Sequence, residues 1–94
     1  MSLAVAWTPE AQETFDDTII QIESKWGTRS AEKFVRETNK IIGMIQSQPY
    51  LFKSSYTTNT RQAIVSKQTS MFYEVHSSHI TILFFWDNRQ EPIL

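Results

Sequence analysis

The sequence predicts an α+β fold in one domain: an antiparallel helical hairpin packed on one face of a small antiparallel sheet, in the order β–α–α–β–β–β. Three observations carry this prediction. Residues 9–48 hold two apolar stripes at helical spacing, divided at Gly27. From residue 61 the pattern changes to β-favouring, aromatic runs broken by short polar turns. Finally, the 94 residues are 40% hydrophobic and 13% aromatic, enough for one core, since domains run from about 50 to about 250 residues. No repeat or linker divides residues 1–94, so the expectation is a single unit.

Leu3 to Trp7 is a short apolar run that suits a first strand. Thr8-Pro9-Glu10 then has the form of a helix start. The threonine hydroxyl caps, proline fits the first helical position, and an acidic first turn suits the helix dipole. Ala11, Phe15, Ile19, Ile22 and Trp26 follow at steps of three and four, one apolar face of a helix. Gly27 ends that helix, as glycine just past a C-terminus does, and Thr28 is expected to cap a second one. The second stripe is Ala31, Phe34, Val35, Thr38, Ile41, Ile42 and Ile45, with Arg29, Lys33, Arg36, Glu37 and Lys40 opposite. Pro49 closes it near Ser47 or Gln48. So short a connection folds the two helices back on each other.

Tyr50 to Thr60 is a polar, Ser/Thr-rich connection. Arg61 to Lys67, with Ala63-Ile64-Val65 at its centre, and Met71 to His76 read as strands. A turn over His76-Ser77-Ser78-His79 leads into Ile80 to Trp86, apolar at nearly every position, as in a strand covered on both faces. These three strands form a meander, and the first strand joins the sheet at an edge. Strict alternation would put Ile80, Ile82, Phe84 and Trp86 on one face, and Thr81, Leu83 and Phe85 on the other.

Composition narrows the chemistry. Without cysteine there is no disulfide, thiolate catalysis or zinc–thiolate site, which suits a cytoplasmic protein. No apolar run approaches the ~20 residues that span a bilayer, and the opening residues lack the basic region of a signal peptide. Membrane partners are not expected. Net charge is −1, but unevenly placed. Glu10, Glu13, Asp16, Asp17 and Glu23 stand without a cation before residue 25, whereas residues 25–67 carry eight Lys/Arg against Glu32 and Glu37. Phosphate contact is thus permitted by the middle of the chain without being demanded by the whole. His76 and His79 flank a turn, but zinc sites want at least three protein ligands, so no metal and no cofactor is expected. No nucleophile–base pair or phosphate-binding glycine loop is visible.

Several short motifs, taken in order, resemble the RelE/ParE toxin superfamily, which includes plasmid stabilisation or addiction proteins. They are Trp7-Thr8-Pro9-Glu10-Ala11, the corner Trp26-Gly27-Thr28 followed by Ala31, Glu32 and Phe34, Gln48-Pro49, and Phe72-Tyr73-Glu74-Val75. The ending Phe85-Trp86-Asp87-Asn88-Arg89-Gln90-Glu91-Pro92 is similar to that of many small members. The resemblance implies a growth-inhibiting toxin of a type II toxin–antitoxin pair, with a cognate antitoxin as partner. ParE-like members act on DNA gyrase; RelE-like members cut mRNA on the ribosome.

For the nuclease branch the resemblance marks Arg89 as a phosphate-contacting residue, with Arg61 and Lys67 as further catalytic candidates. Arg61 and Lys67 are six residues apart, an even step that puts both on one face of a strand. Lys53 could join them. The plain alternatives are an Arg89 paired with Asp87 or Glu91, and lysines and arginines that are solvated strand ends. The chain also departs from the nuclease pattern. Where such enzymes have an arginine on the third strand, this chain has Ser70, whose hydroxyl cannot hold phosphate bidentately. The second strand lacks clustered lysines, and no tyrosine follows Arg89. These departures favour the ParE-like branch, with an inactive toxin fold kept for binding as a third reading. The helical hairpin can cover only one face of the sheet, so apolar surface left on the other needs a partner, and Leu83, Phe85 and Trp86 are the residues expected to meet the antitoxin.

Overall fold

The computed structural model describes residues 2–53 and 59–90. Six elements follow in the expected order: β1 (Ala4–Trp7), α1 (Pro9–Trp26), α2 (Thr28–Ser47), β2 (Thr60–Ser66), β3 (Thr69–Val75) and β4 (His79–Asp87). The two helices lie on one face of a four-stranded sheet ordered β1-β4-β3-β2. Strands β2, β3 and β4 form the antiparallel meander, and β1 takes the edge beside β4. Its direction differs from expectation: β1 runs parallel to β4, so the sheet is mixed. A helical hairpin between the first strand and the meander returns the chain to the end where it began, and a parallel edge needs such a crossover.

The first helix starts as its sequence dictates. Thr8 is extended, its hydroxyl accepts from the Ala11 amide at 2.9 Å, and Pro9 occupies the first turn. Gly27 ends the helix with φ of 92°, a region that L side chains rarely adopt. The second cap differs from the sequence reading. Thr28 is already helical, Gly27 is the N-cap without a side-chain bond, and the Thr28 hydroxyl donates to Glu23 Oε2 at 3.2 Å. One glycine serves both helices, which leaves no position outside the helix for Thr28 to cap from.

The core lies between hairpin and sheet. Ile41, Ile42 and Ile45 of α2 meet Ala63, Val65, Met71, Tyr73, Ile80 and Ile82. At one end Trp7, Phe15, Phe34 and Phe85 form an aromatic group with ring centroids 5.1–6.2 Å apart. Phe85 is therefore on the helix-covered face, contrary to strict alternation. The cause is a bulge: Phe72 pairs with Phe84 but Tyr73 with Ile82, leaving Leu83 without a partner in the β3 ladder. One extra residue inverts every side chain beyond it. Ile80, Ile82 and Phe85 thus share the core, while Phe84 stacks on Phe72 at 4.8 Å on the opposite face.

The bulge is held by α1. Where β1 stops at Trp7, β4 continues with a bare edge, and threonines replace the missing strand. Thr8 Oγ1 donates to the Leu83 carbonyl at 2.7 Å, and Thr14 Oγ1 accepts from the Phe85 amide at 2.9 Å. Backbone groups of the bulge that would cost free energy unpaired are thereby satisfied.

Candidate functional site

The end of the molecule at the helical corner gathers most of the chemistry. There the last turns of α1, the first turns of α2, the end of β2 and the β2–β3 turn enclose an open groove of about 610 Å³. Its floor is Ile22, Phe34 and Val65; its rims carry Trp26, Lys33, Lys67 and Gln68. A smaller recess on the other side of Trp26 is lined by Asp87 and Arg89. The two are joined where the Asn88 amide donates to the Gln68 carbonyl at 2.7 Å. Trp26 is 48% exposed. It stands at the corner between Lys25 Nζ, 5.8 Å from its ring centroid, and Arg89 Cζ, 6.0 Å away.

Arg89 is engaged. Its Nε donates to Asp87 Oδ1 at 3.0 Å and its terminal nitrogen to Oδ2 at 2.8 Å, a two-pronged pair closed further by its own amide. Hydrogen bonding from Arg89 holds the Asp87 carboxyl below the usual carboxylate range, and the same bond raises the guanidinium. An anion reaching Arg89 must compete with a carboxylate already in bidentate geometry.

Arg61 and Lys67 do not share a face. Arg61 pairs with Tyr73, and its guanidinium donates to the Phe52 carbonyl at 2.7 Å while lying 4.7 Å over the Tyr50 ring. Lys67 falls in the turn after β2, beyond an irregularity between Ile64 and Ser66. That irregularity breaks the even-step argument, and the two cations sit at opposite ends of the strand. The structure thus places Lys67 and Arg89 in two adjoining recesses that share Trp26 and Gln68, and leaves Arg61 apart. Lys53 lies near Arg61, its carbonyl accepting weakly from Gln62 at 3.4 Å.

Ser70 is fully buried and held in a chain of polar groups. Gln62 Nε2 donates to its Oγ at 2.9 Å, and that hydroxyl donates to Asn88 Oδ1 at 2.8 Å. Its partners leave it no spare hydrogen for a ligand. On this same face Leu83, Phe84 and Trp86 are half-buried, and Ile64 is 62% exposed. Phe85, expected among them, is removed by the bulge.

His76 and His79 stack at 4.6 Å, with Glu74 3.4 Å from His76. Parallel rings do not aim their nitrogens at a common point, and the described residues hold no group of three that could bind a metal. Sequence reasoning missed Lys25, Lys33 and Gln68 at the corner and took Trp26 for core. The available signal was position: Trp26 is the last helical residue before Gly27, where no further turn of α1 can cover it.

No protein-family model matches the chain, and no curated relative does. Solved structures do match. The chromosomal ParDE TA system from P. aeruginosa superposes with a TM-score of 0.76 at 18% identity, covering 92% of this chain and 96% of that one. The YoeB dimer from Staphylococcus aureus gives 0.65 at 18% identity over 89% and 94%. The E. coli DinJ–YafQ toxin–antitoxin complex gives 0.63 at 4% identity over 95% and 96%. Two helices on a four-stranded mixed sheet, in this order and over nearly the full chain, make this the fold of the RelE/ParE-like toxins.

Proposed function

We propose that the chain is the growth-inhibiting toxin of a type II toxin–antitoxin pair, ParE-like in its branch, cytoplasmic, neutralised by a cognate antitoxin and directed at DNA gyrase. The fold supports the toxin role, because the matching structures are toxins and toxin–antitoxin complexes. The observation that carries the branch is the state of the basic set. Arg61 is spent on the Phe52 carbonyl and the Tyr50 ring, Ser70 is locked between Gln62 and Asn88, and Arg89 is clamped by Asp87. Cleavage of RNA needs preorganised cations where charge develops on the scissile phosphate, and these groups do not converge on one point. Leu83 and Trp86, with Phe84, form the half-buried apolar strip that the antitoxin would cover.

A second reading has one observation in its favour: Lys67 and Arg89 flank the same corner, beside an exposed tryptophan. On that reading the protein is a ribosome-dependent mRNA endonuclease. The experiment is tightly controlled induction in cells, scored by colony survival, with purified protein added to gyrase supercoiling and to ribosome-bound mRNA. Killing with loss of supercoiling and intact mRNA supports the proposal. Cut mRNA, abolished by Arg89→Ala, replaces it with the nuclease reading. Soluble protein that harms nothing leaves a binding module of toxin fold.

A further inference from the structure

The outer face of the helical hairpin carries charges that have no partner within the described chain. On α1, Glu13, Asp17, Ile20 and Ser24 recur at steps of four, three and four, opposite the inward stripe of buried Ala11 and half-buried Phe15, Ile19 and Ile22. On α2, Arg29, Glu32, Arg36, Lys40, Gly43 and Ser47 form the corresponding outer row, opposite Phe34, Thr38, Ile41 and Ile45. All of these outer residues are exposed. Among the described residues the ion pairs are Glu74–His76 and Asp87–Arg89, and neither touches this face. Within the α1 row stands an apolar side chain, Ile20, 63% exposed.

The levels of these charges along the hairpin are fixed by the turn at Gly27. Residues equally far from Gly27 lie side by side, so Asp17 is level with the Arg36–Glu37 step and Glu13 with the Lys40–Ile41 step. A two-fold axis parallel to the helices, running along the groove between them, lays each α1 over the α2 of a second copy at the same level. Asp17 then faces Arg36 of the partner subunit, Glu13 faces the partner's Lys40, and the two Ile20 side chains meet beside the axis. A two-fold interface must be complementary to itself. This face meets that condition because the acids Glu13 and Asp17 and the cations Arg36 and Lys40 sit on different helices at matched heights.

We infer that this face is the contact between two copies of the chain in solution, a four-helix layer with the two sheets outside. Helices of 18 and 20 residues present roughly 500 Å² per copy, or about 1,000 Å² in all, the lower end for a specific interface. Exposed ion pairs contribute little individually, so the dimer is weak, salt-sensitive and dependent on Ile20 for its apolar centre. The inference stands apart from any toxic activity, since it uses no residue of the corner groove or of the open sheet face.

A charge exchange tests it. The chain, made by cell-free synthesis, is followed by sedimentation velocity across a concentration series at low salt. Glu13→Lys/Asp17→Lys puts cations against cations, and Arg36→Glu/Lys40→Glu puts acids against acids, so each variant alone is expected to be monomeric. Mixed in equal amounts, the two variants are expected to recover a dimer, because every contact is then between opposite charges. Raising salt from about 0.05 M to about 0.5 M shortens the Debye length from roughly 14 Å to roughly 4 Å and is expected to dissociate the wild-type dimer. Helical circular dichroism equal to wild type shows that the exposed substitutions leave the fold intact. A wild-type chain that stays monomeric, a dimer unmoved by either variant, or a mixture that fails to recover it overturns the proposal.

Discussion

The hydroxyl of Thr8 accepts from the Ala11 amide and donates to the Leu83 carbonyl, so one atom starts α1 and closes the bulge of β4. Loss of a capping hydroxyl costs about 1 kcal/mol, and an unsatisfied carbonyl adds to that. Thr8→Ala is therefore expected to lower stability by about 1–2 kcal/mol in urea unfolding, whereas Thr8→Ser keeps most of it. Arg89 permits a second test at this scale. Its hydrogen bonds hold the Asp87 carboxyl below its ordinary value. A carboxylate depressed in the folded state contributes its stabilisation above its unfolded pKa and loses it as the pH falls through the folded one. The pair is solvent-exposed, so the effect on global stability is small and the local signal is the one to read. The Arg89 Nε–H resonance is expected to hold its hydrogen-bonded position throughout the ordinary carboxylate titration range and to move toward the free guanidinium position only at pH below that range. A resonance indifferent to pH, or already free at neutral pH, would show that the clamp does not exist in solution.

Elements are where sequence and structure part company. Both helices, their lengths and the single-glycine corner follow from apolar spacing and from one residue type that tolerates positive φ. Gly27 has nothing within 4 Å of where a Cβ would stand, so Gly27→Ala tests backbone strain alone. With φ 92° and ψ 174°, it is expected to cost about 1–3 kcal/mol. The faces of β4 were not legible, because Ile80 to Trp86 is apolar at almost every position and carries no alternation to betray a bulge. What places the bulge is distant: threonines 8 and 14 supply the partners that Leu83 and Phe85 lack. Substitution separates the two registers. With Phe85 in the aromatic group and 3% exposed, Phe85→Ala is expected to cost about 3–5 kcal/mol, and Trp86→Ala less than half as much. Equal costs, or the reverse order, would restore uninterrupted alternation. The site was legible in part for the same reason. Arg89 and Lys67 lie near a common corner as their sequence positions allow, but Arg61 was misplaced once a strand irregularity cancelled the even step. Trp26 looked like core because periodicity does not say where the sheet beneath a helix ends.

Across the whole molecule, Tyr73 joins the layers. It lies at the centre of the sheet, fully buried, and its hydroxyl donates to the Pro49 carbonyl at 3.1 Å, tying the chain beyond α2 to β3. Burial pushes the phenol up to about 12, against the opposing pull of the Arg61 charge and a backbone hydrogen bond. A group whose pKa is raised by folding contributes stability that is complete below its unfolded value, near 10. That contribution is lost as the pH climbs through the folded value. Each tenfold change in proton affinity is worth about 1.4 kcal/mol. The folded protein is accordingly expected to lose up to about 2–3 kcal/mol between about pH 10 and pH 12 from this residue alone. Other alkaline titrations overlap, so the comparison is with Tyr73→Phe. That variant lacks the hydrogen bond to Pro49 and should be less stable near pH 8 by about 1 kcal/mol. Its urea midpoint should then fall less steeply than that of the wild type above pH 10. The two curves converge only if the buried phenol is what ties stability to alkaline pH; parallel curves would mean that Tyr73 ionises in the folded protein as readily as in the unfolded chain, and that the joint between the layers is open to water.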